Sequence, residues 1–140
     1  MSGNRPILLI EDDVDDAALI QRSLSAHLAN PVVVLQDGAQ ALEYLFEGIE
    51  GEFPLVILLD LALPKIGGLE VLRRIRADAR TRLLPVVILT ASERERDMVE
   101  CHRLGCNSYV RKPANFAGFA DVARQLGLYW LLLNETPPGR

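Results

Sequence analysis

Cysteine is nearly absent from this sequence of 140 residues, which contains only Cys101 and Cys106. Their spacing fits neither a CxxC pair nor the ligand spacing of a structural metal site. Two reduced thiols that fill small apolar sites are therefore expected, as in a cytosolic protein.

Long apolar runs are absent as well. No segment approaches the roughly 20 apolar residues that a membrane-spanning helix needs. The aliphatic run at 7–10 is too short for the core of a signal peptide, and acidic residues follow it at once. These absences predict a cytoplasmic protein without a membrane segment.

Positive charge is scarce and scattered. The formal net charge is -4, and the densest basic group, Arg73, Arg74 and Arg76, is interrupted by an apolar residue, as on a solvated helix face. Proteins that bind nucleic acids cluster Lys and Arg in order to neutralise phosphates. We therefore expect no nucleic-acid partner.

The sequence does contain a regular alternation of short aliphatic runs and longer segments with helical periodicity. Strands are predicted at 7–10, 32–35, 55–59, 86–89 and 109–110, and helices are predicted to start near Asp13, Asp37, Leu69, Glu93 and Asn115. The third run is apolar on both faces, as in a central parallel strand covered by helices on each side. This order predicts a doubly wound parallel α/β sheet in a single domain, 1–140.

Chemically active side chains follow four of the predicted strands. Glu11 and Asp12 follow the first, Asp60 the third, Thr90 the fourth and Lys112 the fifth. The carboxyl ends of parallel strands lie at one edge of a sheet, so these residues are expected to converge. Clustered carboxylates stay ionised only beside a cation, and Mg²⁺ prefers oxygen ligands. With a lysine and a hydroxyl to contact phosphate oxygens, Asp60 is placed to attack phosphorus and form an aspartyl phosphate.

Four segments that contain these residues resemble the receiver domain of bacterial response regulators, the phosphoacceptor proteins of two-component signalling. The segments are LLIEDD (8–13), VILLDLALPKIGG (56–68), VVILTAS (86–92) and GCNSYVRKP (105–113), and they occur in the order and spacing of that family. The resemblance covers nearly the whole chain. It implies a flavodoxin-like (β/α)5 sheet with the strand order 2-1-3-4-5.

The resemblance also implies a role for each matching residue. Asp60 corresponds to the phosphoacceptor, and Thr90 and Lys112 to the residues that contact the phosphoryl group. Thr90 and Tyr109 match a switch pair, in which the aromatic ring turns inward as the threonine moves toward the phosphoryl group. In the family the peptide bond that corresponds to Lys112–Pro113 is cis.

A Mg²⁺ ion is implied by the same resemblance. Asp12, Asp60 and the backbone carbonyl of Ala62 correspond to direct ligands, and Glu11 corresponds to a residue that acts through water. Three further acids at the start of the first helix are interpreted as charges that favour the helix dipole rather than as ligands: Asp13, Asp15 and Asp16.

One position departs from the family pattern. Gly67 stands where aspartate is common. We expect the departure to change only the stiffness of the loop, because Gly68 still supplies flexibility.

The last predicted helix is more apolar than an edge helix requires. One stripe runs along it, and its second half is apolar nearly all round; the stripe comprises Phe116, Phe119, Ala123, Leu126, Trp130 and Leu133. An exposed apolar face of this size indicates a partner, so we expect a homodimer through this helix and its extension, 126–140. We expect no output domain to follow, and the ending YWLLLNETPP (129–138) is similar to stand-alone receivers that serve phytochrome-type histidine kinases.

Two alternatives from other classes remain open at this point. A Mg²⁺-dependent phosphohydrolase with an aspartate nucleophile would need an acid two residues after the nucleophile, and Ala62 occupies that position. A receiver-like module that works by binding alone is the second alternative. The sequence favours a phosphoacceptor signalling protein over both, rather than a turnover enzyme.

Overall fold

The structure is a computed structural model that describes residues 5–26, 28–48, 53–113, 118, 121–122 and 124–125. Strands and helices alternate along the chain. The strands are β1 (Ile7–Ile10), β2 (Val32–Leu35), β3 (Val56–Leu59), β4 (Val86–Thr90) and β5 (Ser108–Arg111). The helices are α1 (Val14–Ser25), α2 (Gly38–Glu43, continued by a π-helical turn at Tyr44–Gly48), α3 (Gly68–Ala77) and α4 (Glu95–Leu104).

The five strands form one parallel sheet in the order β2-β1-β3-β4-β5, which confirms the predicted strand order. β1, β3 and β4 are buried along their whole length. Alternate residues of these strands point to opposite faces of the sheet, where each face has its own core. Leu8 and Ile57 pack with α2, α3 and α4 on one face, and Leu9 and Leu58 pack with α1 on the other. The unbroken apolar runs in the sequence follow from this double coverage.

Local side-chain contacts set the helix ends. Asp13 caps α1 by accepting a hydrogen bond from the backbone N–H of Asp16 at 3.0 Å. Asp37 caps α2 in the same way through the N–H of Gln40 at 2.7 Å. Gly105 ends α4 with a left-handed φ of 94°, as its position after Leu104 predicts. N-terminal caps such as Asp13 and Asp37 contribute about 1 kcal/mol each.

The predicted fifth helix lies largely outside the residues that the structure describes. Within it, positions 118, 121–122 and 124–125 are helical, and Val122 packs against the core on the α1 side of the sheet. The apolar stripe from Phe116 to Leu133 and the extension 126–140 are not covered, and neither is the dimer contact expected there. Among the described residues, no helix is long and apolar enough to cross a membrane.

Gly68 is the first residue of α3, and Gly38 is the first residue of α2. Both glycines let a neighbouring backbone segment approach the start of the helix closely. A Cβ atom on Gly68 would lie 2.3 Å from the carbonyl oxygen of Asp60 and 2.6 Å from the Cα of Leu61. On Gly38 it would lie 1.9 Å from the carbonyl oxygen of Ile66. Gly67 has ordinary extended angles, and a Cβ atom on it would lie 3.9 Å from its nearest neighbour, the carbonyl oxygen of Leu61. Close packing against Asp60 and Leu61 is therefore the reason for glycine at position 68. The expectation that Gly68 serves to make the loop flexible is wrong.

This difference predicts unequal effects of alanine at two adjacent positions. Gly68→Ala should lower the free energy of unfolding by about 2 kcal/mol or more, because overpacked backbone must shift. Gly67→Ala should change it by less than about 1 kcal/mol, because the lower entropy of the unfolded chain is opposed by the loss of glycine at the N-cap of α3. Urea denaturation of both variants measures the difference. Equal stability of the two variants would contradict the close approach at Gly68.

Candidate functional site

The sheet hydrogen-bond ladder continues beyond the strands and fixes the backbone of the predicted site residues. The N–H of Glu11 donates to the carbonyl of Leu35 at 2.9 Å, and the N–H of Asp60 donates to that of Ile10 at 3.1 Å. The N–H of Lys112 donates to the carbonyl of Thr90 at 2.8 Å. These side chains therefore project from rigid extensions of β1, β3 and β5 at one edge of the sheet.

Three carboxylates meet at this edge. Glu11, Asp12 and Asp60 each place an oxygen within 4.8 Å of the others. Glu11 and Asp60 are buried and Asp12 is exposed. The N–H of Ala62 donates to Asp60 Oδ1 at 3.3 Å. Hard oxygen donors with one open side fit a small divalent cation such as Mg²⁺, which keeps several water ligands.

The ammonium group of Lys112 contacts three carboxylates. Its Nζ is 2.7 Å from Glu11 Oε1, 2.9 Å from Asp16 Oδ2 and 3.1 Å from Asp60 Oδ2. The side chain is only 8% exposed. A lysine ammonium carries three N–H donors, so each of the three carboxylates can accept one of them.

Burial and charge act in opposite directions on the pKa values of this group. Burial raises the pKa of Glu11 to about 7, although Lys112 opposes the shift. Burial would also raise the pKa of Asp60, but the charge and hydrogen bond of Lys112 outweigh it and lower that pKa. Burial would lower the pKa of Lys112, yet Glu11 and Asp16 raise it. Without a cation, Asp60 therefore stays ionised at neutral pH. Of these two carboxylates, Glu11 takes up a proton first as the pH falls.

Thr90 ends β4 and is buried. Its Oγ1 accepts a hydrogen bond from the N–H of Ser92 at 3.3 Å, and the Ser92 hydroxyl donates to Asp97 Oδ2 at 2.6 Å. On the neighbouring strand, the hydroxyl of Tyr109 is buried without a hydrogen-bond partner in the described part of the chain. Burial also raises the pKa of that hydroxyl.

A cleft of about 520 Å³ opens beside Asp60. The loop after β3 and the start of α3 form one wall, including Ala62 and Gly68, and the loop after β4 forms the other. Thr90 and Arg94 also line the cleft. A small phosphorylated group could thus reach Asp60 through this cleft.

Most of the predicted site residues are brought together. Glu11, Asp12, Asp60 and Lys112 form one cluster, and Thr90 and Ala62 line the cleft next to it. The role of each in phosphoryl transfer or metal binding stays a prediction, as does the switching of Tyr109.

Two expectations drawn from the sequence need correction. The Lys112–Pro113 bond is trans and not cis as expected, and no cis peptide bond occurs among the described residues. The trans form is intrinsically favoured by about 0.5–1 kcal/mol even before proline. Asp16 is more than the helix-start charge that its position suggests, because it contacts Lys112. The sequence offers no local signal for this contact, because it joins residues that lie 96 positions apart.

Comparison with known proteins identifies related sequences. Residues 7–124 match the response regulator receiver domain family. The chain is 38% identical to the probable methanogenesis regulatory protein FilR2 of Methanothrix harundinacea, over 94% of this chain and 86% of that protein. It is 34% identical to response regulator Rcp1 of Synechocystis, over 89% of this chain and 88% of that protein.

Solved structures agree with this assignment. The phosphorylated cyanobacterial phytochrome response regulator RcpA superposes with a TM-score of 0.91 at 34% identity, covering 96% of this chain and 99% of that one. The Mn²⁺-bound form of Rcp1 gives 0.90 at 33% identity, with the same coverage. The bacteriophytochrome response regulator RtBRR gives 0.73 at 48% identity, covering 96% and 85%.

The raised pKa of Glu11 predicts a pH-dependent stability in metal-free buffer. Between about pH 4.5, near the value for an unfolded glutamate, and about pH 7, the folded state holds more protons than the unfolded state. The free energy of unfolding should therefore fall as pH rises through this range. Relative to Glu11→Gln, the fall should be on the order of 1–3 kcal/mol.

Urea denaturation in the presence of a chelator, at about pH 5 and about pH 8, measures this change. Glu95→Gln removes a carboxylate from the exposed start of α4 and controls for the loss of charge. A native chain and a Glu11→Gln variant whose stabilities change in parallel over this range would contradict the shifted pKa.

Proposed function

The chain belongs to the response regulator receiver domain family, and from this premise we propose that it accepts a phosphoryl group on Asp60 in a Mg²⁺-dependent transfer from a sensor histidine kinase. The observation that carries the proposal is the placement of Asp60. Its carboxylate is buried among Glu11 and Asp12, and its Oδ2 lies 3.1 Å from the Lys112 ammonium. One side of it opens to a cleft.

These surroundings suit an attacking carboxylate. Lys112 lowers the pKa of Asp60, so an ionised oxygen is available at neutral pH. In the transfer, that oxygen forms a bond to phosphorus while the bond from phosphorus to the donor histidine nitrogen breaks. The histidine takes up a proton, and Lys112 and the Thr90 hydroxyl are near enough to the cleft to bind oxygens of the transferred group. Preorganised charge of this kind is usually the largest contribution to phosphoryl transfer.

The donor set fits a resident Mg²⁺ ion. Glu11, Asp12 and Asp60 offer oxygens within 4.8 Å of one another, and the Ala62 backbone lies beside Asp60. When bound, the ion would neutralise charge on the phosphoryl oxygens. The Mn²⁺-bound form of the relative Rcp1 supports this cofactor class. The assignment of Asp12, Asp60 and Ala62 as direct ligands, with Glu11 acting through water, belongs to this proposal.

The output is proposed to be a change in protein contacts through Thr90 and Tyr109. Thr90 now accepts a hydrogen bond from Ser92, whose hydroxyl binds Asp97 at the start of α4. A Thr90 side chain that moved toward a phosphoryl oxygen would lengthen the Ser92 contact, which is already 3.3 Å long. The loop before α4 would then be released, and the buried Tyr109 hydroxyl could acquire a partner.

A phytochrome-type kinase is the proposed phosphodonor. Among the similar structures are a cyanobacterial phytochrome response regulator and a bacteriophytochrome response regulator, and the similarity covers 96% of this chain in both cases. A stand-alone receiver that signals by contact, without turnover as an enzyme, agrees with these relatives. The cytoplasmic location and the lack of a nucleic-acid partner stay predictions.

Incubation with acetyl phosphate and Mg²⁺, followed by intact mass measurement, tests the phosphoryl transfer. The native chain should gain one phosphoryl group, and the gain should disappear when a chelator replaces Mg²⁺. Asp60→Asn should show no gain, because an amide cannot form the acyl phosphate. Asp15→Asn, an exposed acid in the same charge class, should behave as the native chain does.

Absence of the adduct in a folded, Mg²⁺-containing native sample would overturn the phosphoacceptor proposal. It would favour a receiver-like module that acts by binding alone. An adduct that persists in Asp60→Asn would instead show that another residue accepts the group.

A homodimer through the last helix is proposed from the sequence. The stripe that contains Phe119, Leu126 and Trp130 would be covered by the same stripe of a second copy, with two-fold symmetry. Light scattering at micromolar concentration should give twice the mass of the chain. Leu126→Glu should reduce that mass to one chain, because a buried charge without a partner is strongly unfavourable. A native chain that scatters as a monomer would contradict the dimer.

A further inference from the structure

We propose that Asp16 is a positioning residue for phosphoryl transfer, because its carboxylate holds the Lys112 ammonium beside Asp60. The inference rests on the proposed function and adds a residue to it. Asp16 lies in the first turn of α1 and Lys112 follows β5, so this contact joins two elements that are 96 residues apart in sequence. The distance from Lys112 Nζ to Asp16 Oδ2 is 2.9 Å.

The Asp16 side chain differs in setting from the other acids around Lys112. Glu11 and Asp60 belong to the cluster that could hold a cation, whereas among the described residues Asp16 does not. A bound cation would draw the oxygens of Glu11 and Asp60 toward itself and weaken their attraction for Lys112. A phosphoryl group on Asp60 would remove the carboxylate charge that Lys112 now contacts. Of the three carboxylates that contact Lys112, Asp16 is the one that neither cation binding nor phosphorylation of Asp60 would alter directly.

Asp16 can therefore hold Lys112 in place throughout the reaction. Its side chain is 30% exposed, while the Lys112 side chain is 8% exposed. A charge-assisted hydrogen bond to a mostly buried lysine is among the stronger side-chain contacts. With one ammonium donor fixed by Asp16, the other donors remain directed at Glu11 and at the position of the phosphoryl oxygens.

A role limited to the helix dipole would not explain this geometry. Asp15 lies one residue earlier in the same first turn and meets the same dipole. It is exposed, and the contacts found for Lys112 involve Asp16 rather than Asp15. Asp15→Asn is therefore a matched control, since it removes the same charge from the same helical turn without touching the lysine.

The test compares rates of phosphoryl transfer from acetyl phosphate in saturating Mg²⁺, followed by intact mass. In this reaction the bond between phosphorus and the Asp60 oxygen forms, the bond from phosphorus to the acetate oxygen breaks, and acetate leaves; Asp16 exchanges no atoms. Asp16→Asn should slow adduct formation about tenfold, because a neutral amide holds the ammonium less strongly. Asp15→Asn should stay within about twofold of the native rate.

A double-mutant cycle separates positioning from a purely structural effect. In a Lys112→Ala background, the change Asp16→Asn should slow the reaction by less than about twofold, because the lysine that it positions is gone. A further tenfold loss in that background would show that Asp16 acts independently of Lys112 and would overturn the proposal. So would a single Asp16→Asn variant that reacts at the native rate.

Thermal unfolding of each variant confirms that folded protein is compared. If Asp16→Asn does not fold, Asp16→Ser, which is polar but too short to reach the ammonium, is judged by the same two criteria. A native chain that forms no adduct at all overturns the proposed function, and the positioning role with it. A native chain that reacts while Asp16→Asn reacts equally fast overturns the positioning role alone.

Discussion

A single lysine ammonium offsets the repulsion among the buried carboxylates at the edge of the sheet. Two carboxylates within 4.8 Å of each other repel by about 3–4 kcal/mol at an effective dielectric constant near 20. Lys112 lies within 3.1 Å of two members of that cluster and of Asp16. The position of Lys112 depends in turn on the pairing of β5 with β4, through the bond from its N–H to the Thr90 carbonyl. The geometry of the acidic site is therefore tied to the last strand of the sheet.

The apolar core acts on the site through the same backbone. Strands buried on both faces have little freedom to slip, since a shift of one residue would move each side chain to the other face. The hydrogen bonds from Glu11 and Asp60 to neighbouring strands extend this register by one residue into the site. Gly68 lets α3 begin directly against the backbone of Asp60 and Leu61. Core, strand register and close loop packing together place the acceptor carboxylate within the cleft.

The sequence was sufficient for the order of strands and helices, and for helix starts near Asp13 and Asp37, because each depends on local periodicity or on the chemistry of one residue. The convergence of Glu11, Asp60 and Lys112 followed from the topology of parallel sheets. Contacts that depend on side-chain reach between distant elements were not accessible in this way. The link from Asp16 to Lys112 is one example.

Backbone geometry in tight loops could not be predicted either. Lys65 adopts a left-handed φ of 69°, which nothing in its residue type indicates. Arg76 donates to the carbonyl oxygens of Leu84 and Gly105 and to the side chain of Asn107, joining α3 to the segment before β4 and to the segment after α4. In the sequence this arginine belonged to a group assigned to a solvated helix face. Its contacts are long-range, so periodicity on one helix could not distinguish it from its neighbours.

The balance of charge explains why one acid should lie apart from the others. Glu11, Asp12, Asp16 and Asp60 carry four negative charges when ionised and Lys112 carries one positive charge, which leaves 1 - 4 = -3. Burial is the main cause of the raised pKa of Glu11, and the nearby charge of Asp60 adds to it. Uptake of a divalent cation would offset the excess of negative charge. A lysine held only by the acids that a cation recruits would change position with each change of occupancy. Because Asp16 contacts it from outside that cluster, the lysine can stay fixed while the charge around Asp60 changes.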